Sequence, residues 1–133
     1  MSRARRVLAG ECVMVTRRCI DRKFLLVPRA KLRDAFIYCL ARASVLYGID
    51  VHGLVVMANH YHIVCTDRDG GLPAFCRWLN GHLAKLINFE LKRPRGQVWD
   101  GRKYSRVRLV DDDAIFKELA YIITCLLYTS RCV

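Results

Sequence analysis

The chain has 133 residues, 53% hydrophobic and 26% charged, a balance that excludes intrinsic disorder and predicts a single globular domain over residues 1–133. No apolar run approaches the roughly 18 residues of a membrane span, and Glu11 interrupts the apolar stretch near the N-terminus, so neither a membrane segment nor a cleaved signal peptide is expected. The seven cysteines contain no CxxC pair, which argues against a disulfide framework or a structural zinc site and favours the reducing cytoplasm.

The net charge of +11, with a pI of about 9.7, is the strongest signal in the composition. An excess this large on a small domain indicates a polyanionic partner, and nucleic acid is the first candidate. The basic residues concentrate in residues 1–33 and 92–108, and Asp100 is the only acidic residue of the second stretch. A basic surface that serves solubility alone is the other interpretation.

Hydrophobic periodicity along the chain predicts four strands and three helices. In chain order they are predicted over residues 11–19 (strand), 29–48 (helix), 50–57 (strand), 60–67 (strand), 72–92 (helix), 104–110 (strand) and 111–127 (helix). A tight turn at Ala58 and Asn59 joins the second and third strands as a hairpin. The order β-α-β-β-α-β-α predicts an α+β, ferredoxin-like (split βαβ) fold, with a four-stranded antiparallel sheet and helices on one face.

His60 and His62 stand two residues apart in the segment MANHYHIV, on the predicted third strand. Because side chains alternate across a strand, both imidazoles face the same side and can point at one cation, whereas Tyr61, Ile63 and Cys65 face the core. An isolated His-x-His pattern is also compatible with ordinary polar residues on a half-exposed strand. The pair is a candidate metal site.

The last predicted helix carries a tyrosine that does not belong to its core-facing side. The apolar residues of its core stripe are Ile115, Leu119, Ile122, Ile123 and Leu126. Tyr121 lies roughly 140° or more around the helix from the middle of that stripe, beside Lys117. It is therefore a candidate reactive phenol, with an ordinary surface tyrosine as the alternative.

In combination these motifs resemble the HUH single-strand endonucleases, in particular the small tyrosine transposases associated with repetitive extragenic palindromes. The resemblance is carried by Val15-Thr16-Arg17-Arg18, VVMANHYHIV, GQVWDGRKYSRVRLVDDD and Ala120-Tyr121-Ile122-Ile123. It covers about residues 10–124, with the motifs in the family's order and spacing. The family usually has Met-Pro-Asn-His-x-His, and Ala58 replaces the proline here.

The resemblance implies metal-dependent nicking and strand transfer of single-stranded DNA, that is, DNA transposition. His60 and His62 would hold Mg²⁺ or Mn²⁺ against the scissile phosphate. Tyr121, on a C-terminal helix that carries the nucleophile, would attack the phosphorus and form a 5′-phosphotyrosine, activated by the metal, by water or by a cation such as Lys117. The expected partner is single-stranded or hairpin DNA. Relatives include both monomers and homodimers that exchange the tyrosine helix, so the oligomeric state stays open.

Basic and aromatic side chains around these motifs are predicted to bind the DNA. Phosphate contacts are expected from Arg17, Arg18, Arg102, Lys103, Arg106 and Arg108. Trp99 and Tyr104 lie among them and could stack on unpaired bases, although Trp99 is equally compatible with a core position. His52 could support the histidine pair from the preceding strand, and His82 is predicted to be an exposed helix residue.

The chain departs from the family after Tyr121. In the family, the residue four positions after the tyrosine completes the metal site, and here that residue is Cys125, a soft ligand poorly suited to Mg²⁺. Residues 125–133 do not resemble the family, which gives the hypothesis that this end is truncated or foreign. Two other interpretations stay open: a non-catalytic nucleic-acid-binding domain of the RNA-recognition type, and a degenerate relative that binds hairpin DNA without cutting it.

Overall fold

The computed structural model describes the backbone of residues 9–132 and the side chains of residues 9–124. Its elements are β1 (Glu11–Arg18), α1 (Ala30–Tyr47), β2 (Ile49–Met57), β3 (His60–Asp67), α2 (Leu72–Glu90), β4 (Ser105–Arg108) and α3 (Asp112–Cys132), with a short 3-10 turn at Ile20–Arg22. The predicted order of strands and helices is confirmed, and β4 is shorter than predicted. Of the helices in the described part of the chain, none combines the length and apolar character that a membrane span requires.

The four strands form one sheet in the order β2-β3-β1-β4. Every neighbouring pair is antiparallel, and β3 lies between β1 and β2, which are connected through α1. This is the predicted split βαβ arrangement. The backbone at Gly48 is left-handed, with a φ of 65°, and ends α1 directly before β2, as its position in the sequence predicted.

α1 and α2 pack on one face of the sheet, which we call the helix-pair face. Strand alternation sends Val13, Val15, Tyr61 and Ile63 to this face, and all four are fully buried. Tyr61 and Ile63 therefore lie in the core, as predicted. The Tyr61 hydroxyl donates a hydrogen bond to the side-chain oxygen of Asn80 on α2. This bond satisfies the only polar atom of the Tyr61 side chain in an apolar environment.

α3 packs on the opposite face, which we call the histidine face because β3 directs His60 and His62 there. Its buried contact is Ile122, which joins Val55, Val64 and Leu109 in a second, smaller core. Gly53 on β2 makes this approach close, since a Cβ there would stand 3.3 Å from Ile122 Cδ1. The histidine face is thus partly covered rather than open.

The prediction that Ile123 belongs to the core stripe of α3 was wrong. Ile123 is 60% exposed, whereas its neighbour Ile122 is buried. α3 crosses only part of the sheet, so a narrow stripe suffices to cover the contact. Residue 123 lies about 100° around the helix from residue 122 and projects beyond that contact into solvent. Leu126, another predicted member, lies outside the described side chains.

The turn before β3 is fixed by the chain segment that follows β1. The backbone N–H of Cys19 donates to the Asn59 carbonyl at 2.8 Å, and that of Leu26 donates to the Ala58 carbonyl at 2.9 Å. The Asp100 N–H donates in turn to the Arg18 carbonyl at 2.9 Å, so the basic loop after α2 lies beside the end of β1. These bonds bring the turn at Ala58 and Asn59 to the same end of the sheet as the basic loop, which is residues 91–104 between α2 and β4.

Candidate active site and nucleic-acid interface

His60 and His62 are adjacent on the histidine face. Their ring centroids are 4.9 Å apart, and the rings are nearly perpendicular, at 83°. Both side chains are half-buried. The spacing follows from strand geometry, because residues two apart on a strand project from the same face. The two imidazoles are therefore close enough to serve one small ion together.

Each imidazole is held at Nδ1 by a neighbouring polar side chain. Asn59 Oδ1 lies 2.7 Å from His60 Nδ1, and Thr16 Oγ1 lies 2.7 Å from His62 Nδ1. An amide oxygen can only accept, so His60 donates through Nδ1 and carries its lone pair on Nε2. A donated bond from His62 to the Thr16 hydroxyl has the same consequence for His62. Metal-binding histidines are commonly oriented in this way.

Both histidines are neutral at physiological pH. Burial lowers the pKa of His62 to about 4, with further lowering from the positive charges that His60 and Arg18 would place nearby. Burial also lowers the pKa of His60, and Arg18 adds to this effect. Because a metal binds the neutral imidazole, these lowered pKa values keep both histidines in the protonation state that can bind a cation.

α3 brings Tyr121 to the histidine pair. The ring centroids of Tyr121 and His62 are 6.4 Å apart at an interplanar angle of 78°, and the tyrosine side chain is 49% exposed. Burial of the adjacent Ile122 fixes this part of α3 against the sheet. Lys117, predicted as an activating cation, forms an ion pair with Asp113 at 3.1 Å on the exposed side of α3. The structure thus brings His60, His62 and Tyr121 together within one chain.

The described side chains offer two nitrogen ligands for a metal and no more. Among residues 9–124 no group of three or more His, Cys, Asp or Glu side chains is arranged to hold a metal ion. Cys125, at the predicted third position, lies outside the described side chains. Two oriented, neutral imidazoles beside a phenol fit a cation whose remaining positions are filled by phosphate and water oxygens.

A groove of about 420 Å³, the histidine groove, runs beside His62. Its basic side chains are Arg17, Arg18, Arg102 and Lys103, and Thr16 is also in its wall. Asp100 contributes one carboxylate, which accepts the backbone N–H of Arg102 at 2.8 Å. Four of the predicted DNA-binding cations are therefore gathered next to the histidine pair, where they can attract a polyanion.

Arg106 and Arg108, also predicted to bind DNA, do not join this group. They pair across the sheet with Val15 and Val13, so their side chains leave on the helix-pair face. There they flank Glu11, at 3.7 Å for Arg106 and 3.5 Å for Arg108. The alternation of side chains along β4 therefore places the charges of Arg106 and Arg108 on the helix-pair face, away from the histidine pair.

Trp99 is a core residue, and the prediction that it stacks on DNA bases does not agree with its position. It is 7% exposed, its indole N–H donates to the Asn80 carbonyl at 2.8 Å, and its ring packs edge-to-face on Tyr61 at 5.6 Å. Tyr104, the other predicted stacking residue, is half-buried and lines a second groove of about 590 Å³, the helix groove, beside α2.

Sequence reasoning missed the supporting residues of the site. Thr16 and Asn59 lie inside the quoted motifs, but a role for Thr16 requires the register that places it opposite His62. Arg77, in the wall of the helix groove, carried no sequence signal. His52 bonds to Thr66 at 2.7 Å, far along the strand from His60, and His82 stacks on Trp78 at 3.9 Å. Neither of these histidines belongs to the site.

The fold of this chain is similar to that of solved transposase structures. The solved structure of a REP-associated tyrosine transposase bound to a REP hairpin is similar over 92% of this chain and 70% of that chain, with a TM-score of 0.69 and 17% sequence identity. A candidate transposase from Deinococcus radiodurans R1 is similar over 93% of this chain and 97% of that chain, with a TM-score of 0.62 and 20% identity. No protein-family model matches the chain, and no curated protein matches it. At these identities the comparison shows a shared fold, in agreement with the resemblance predicted from the motifs.

Proposed function

We propose that this protein nicks and rejoins single-stranded DNA through a covalent phosphotyrosine, with Tyr121 as nucleophile and with His60 and His62 holding a divalent cation. The observation that carries the proposal is the separation of 6.4 Å between the rings of Tyr121 and His62. A phenol this close to the histidine pair would be within reach of a phosphate held by an imidazole-bound ion. The fold shared with a REP-associated tyrosine transposase supports the same reaction class.

The reaction conserves the phosphodiester bond energy. The Tyr121 phenol oxygen attacks the phosphorus and loses its proton, the bond from phosphorus to the 3′ oxygen breaks, and that oxygen takes up a proton to leave as a 3′-hydroxyl. The product is a 5′-phosphotyrosine. Attack of another 3′-hydroxyl on this intermediate restores the phosphodiester and releases the phenol. No nucleotide cofactor is needed for rejoining.

The cation proposed for this site is Mg²⁺ or Mn²⁺. When bound, it would polarise a non-bridging phosphate oxygen and stabilise the charge that develops in the transition state. The chain contributes orientation: Thr16 and Asn59 hold the two rings by Nδ1 and leave Nε2 for the ion. With two imidazoles as protein ligands, a weak, substrate-assisted metal site is expected.

The DNA proposed as substrate is a hairpin with adjoining single strands, as in the neighbour bound to a REP hairpin. Arg18, Arg102 and Lys103 in the histidine groove would bind the phosphates that lead into the site. Such contacts carry little sequence information. Because they neutralise phosphate charge, the affinity for DNA should depend strongly on salt.

A degenerate relative that binds hairpin DNA without cutting it is the second candidate. It is favoured by one observation, the restriction of the metal ligands to two imidazoles among residues 9–124. The RNA-recognition interpretation is less well supported, because β1 and β3 present no Phe, Tyr or Trp side chain on the histidine face, where such modules stack bases.

The test is formation of a covalent adduct. Purified protein is incubated with Mn²⁺ or Mg²⁺ and end-labelled hairpin DNA with single-stranded flanks, and the products are separated on a denaturing gel. We expect a metal-dependent adduct that Tyr121→Phe abolishes with little change in binding. Tyr38→Phe is the matched control, since Tyr38 is 69% exposed on α1, and it should leave the adduct intact. Binding without any adduct would favour the degenerate relative.

A further inference from the structure

The helix groove is the larger of the two grooves and lies outside the proposed active site. Its walls are formed by Arg17 on β1, Arg77 on α2, and Lys103 and Tyr104 in the basic loop. Pro73, Cys76 and Asn80 of α2 are also in its lining, and no acidic side chain of residues 9–124 takes part in it. It therefore presents three cations and a half-buried aromatic ring in one cleft of about 590 Å³.

Arg17 is a half-buried cation with one buried hydrogen-bond donor that has no partner. Within the part of the chain that the structure describes, its Nε is buried and has no hydrogen-bond partner, while its Nη1 donates to the Arg102 carbonyl. Burial lowers the pKa of Arg17, and the negative charge of Asp100 offsets this only in part. A half-buried guanidinium that lacks a partner for one buried donor is a favourable position for an anion.

The two grooves meet at this arginine. Arg17 and Lys103 line both the histidine groove and the helix groove, so the grooves share a wall. Strand alternation directs Arg17 to the helix-pair face and Arg18 to the histidine face. Consecutive arginines therefore lead from one face of the sheet to the other at the end of β1.

We propose that the helix groove is a second binding site for the same single-stranded DNA, which leaves the histidine groove over Arg17 and Lys103 and continues along α2. The ligand class is a phosphodiester with its adjoining base: Arg17, Arg77 and Lys103 take the phosphate, and the base packs against Tyr104. Cations bind phosphate without regard to sequence, and an aromatic ring accepts any base, so this site lengthens the footprint without reading sequence. The identity of the polymer rests on the proposed function.

The test compares two charge removals on one helix. Arg77→Ala deletes a cation of the helix groove, and Lys85→Ala deletes another exposed cation about two turns further along α2 and outside the groove. Affinity for a fluorescein-labelled 20-nucleotide oligothymidylate is measured by anisotropy at several salt concentrations. We expect Arg77→Ala to weaken binding roughly threefold to tenfold and to reduce the salt slope by roughly 0.7, with Arg77→Lys close to the wild type. Lys85→Ala should leave both quantities nearly unchanged, and equal losses in the two variants would overturn the proposal.

A second pair of variants tests the base contact. Tyr104→Phe keeps the ring and should bind like the wild type, whereas Tyr104→Ser should weaken binding roughly tenfold. Thymidine monophosphate, added at matched ionic strength, should not displace the oligonucleotide; displacement would indicate a mononucleotide pocket and overturn the proposal of a continuous strand.

Failure of this site and failure of the nicking reaction give different results. If Arg77→Ala selectively weakens binding while wild-type protein forms no adduct at Tyr121, the helix groove stands and the nicking proposal fails. If the adduct forms and the Arg77 and Lys85 variants bind equally well, the nicking proposal stands and the helix groove is not a DNA site.

Discussion

Substitution of Thr16 by valine isolates the orientation of His62. Thr16 lies directly across the sheet from His62, and its hydroxyl lies 2.7 Å from His62 Nδ1. Valine keeps the shape and β-branching of threonine, so the strand is preserved and only the hydroxyl is lost. The imidazole then has no fixed partner at Nδ1 and is free to rotate or to change tautomer.

The expected loss of metal affinity follows from what side chains that orient metal-binding histidines contribute in other proteins. Removal of a side chain that orients a metal-binding histidine typically weakens metal binding about tenfold to a hundredfold. That range corresponds to about 1.4 to 2.7 kcal/mol of binding free energy. Thr16→Ser retains the hydroxyl and should recover most of the affinity. Mn²⁺ binding in the absence of DNA, followed by the electron paramagnetic resonance signal of the free ion, measures the effect without relying on catalysis.

The sheet offers a closely matched control. Thr66 bonds to His52 at 2.7 Å through the same pair of side-chain types, well away from the histidine pair. Thr66→Val removes an equivalent hydroxyl and should leave Mn²⁺ affinity unchanged. The reasoning would be refuted if Thr16→Val bound Mn²⁺ as well as the wild type, or if Thr66→Val lost as much affinity.

Four further predictions test the electrostatics of the histidine pair, the packing of α3 on the sheet and the choice of groove. Because the pKa of His62 is lowered from 6.5 to about 4 and that of His60 is lowered as well, Mn²⁺ binding should persist below pH 6.5 and be lost on further acidification, as the two imidazoles take up protons; loss already complete near pH 6 would contradict the burial of the pair. The same shift should reduce the free energy of unfolding on acidification from 6.5 to about 4, since the unfolded chain binds the proton first, and His62→Asn should flatten this dependence. Ile122→Ala should cost about 2 to 5 kcal/mol in urea unfolding and Ile123→Ala less than about 0.5 kcal/mol, and similar costs would mean that α3 is seated differently. Arg18→Ala should weaken oligonucleotide binding more than Arg108→Ala, whose charge is directed at Glu11 on the other face; the reverse order would place the main DNA contact beside Glu11 rather than in the histidine groove.

The order of elements and the facing of the histidine pair could be predicted from sequence because both depend on local periodicity. The alternation around His60 and His62 places Tyr61 and Ile63 in the core whatever the strands pair with. The helix end at Gly48 has the same local origin, in a residue that tolerates a left-handed backbone.

What could not be predicted depends on which strands are neighbours. The faces of Arg106 and Arg108 follow from the pairing of β4 with β1, and the partnership of Thr16 with His62 follows from the register of β1 with β3. Trp99 was ambiguous because an aromatic residue in a basic loop has the same composition signal whether it packs inward or binds a base. Its indole N–H finds a carbonyl on α2 only after the loop folds back on the sheet.

The most direct test of the central claim is to identify the residue that becomes attached to DNA. Adduct formed with Mn²⁺ is digested with protease and nuclease, and the modified peptide is sequenced by mass spectrometry. The proposed chemistry predicts a nucleotide 5′-phosphate on the phenol oxygen of Tyr121 and a free 3′-hydroxyl on the released strand. Attachment to any other residue, or cleavage that leaves no protein-bound nucleotide, would contradict the placement of Tyr121 as the nucleophile beside His60 and His62.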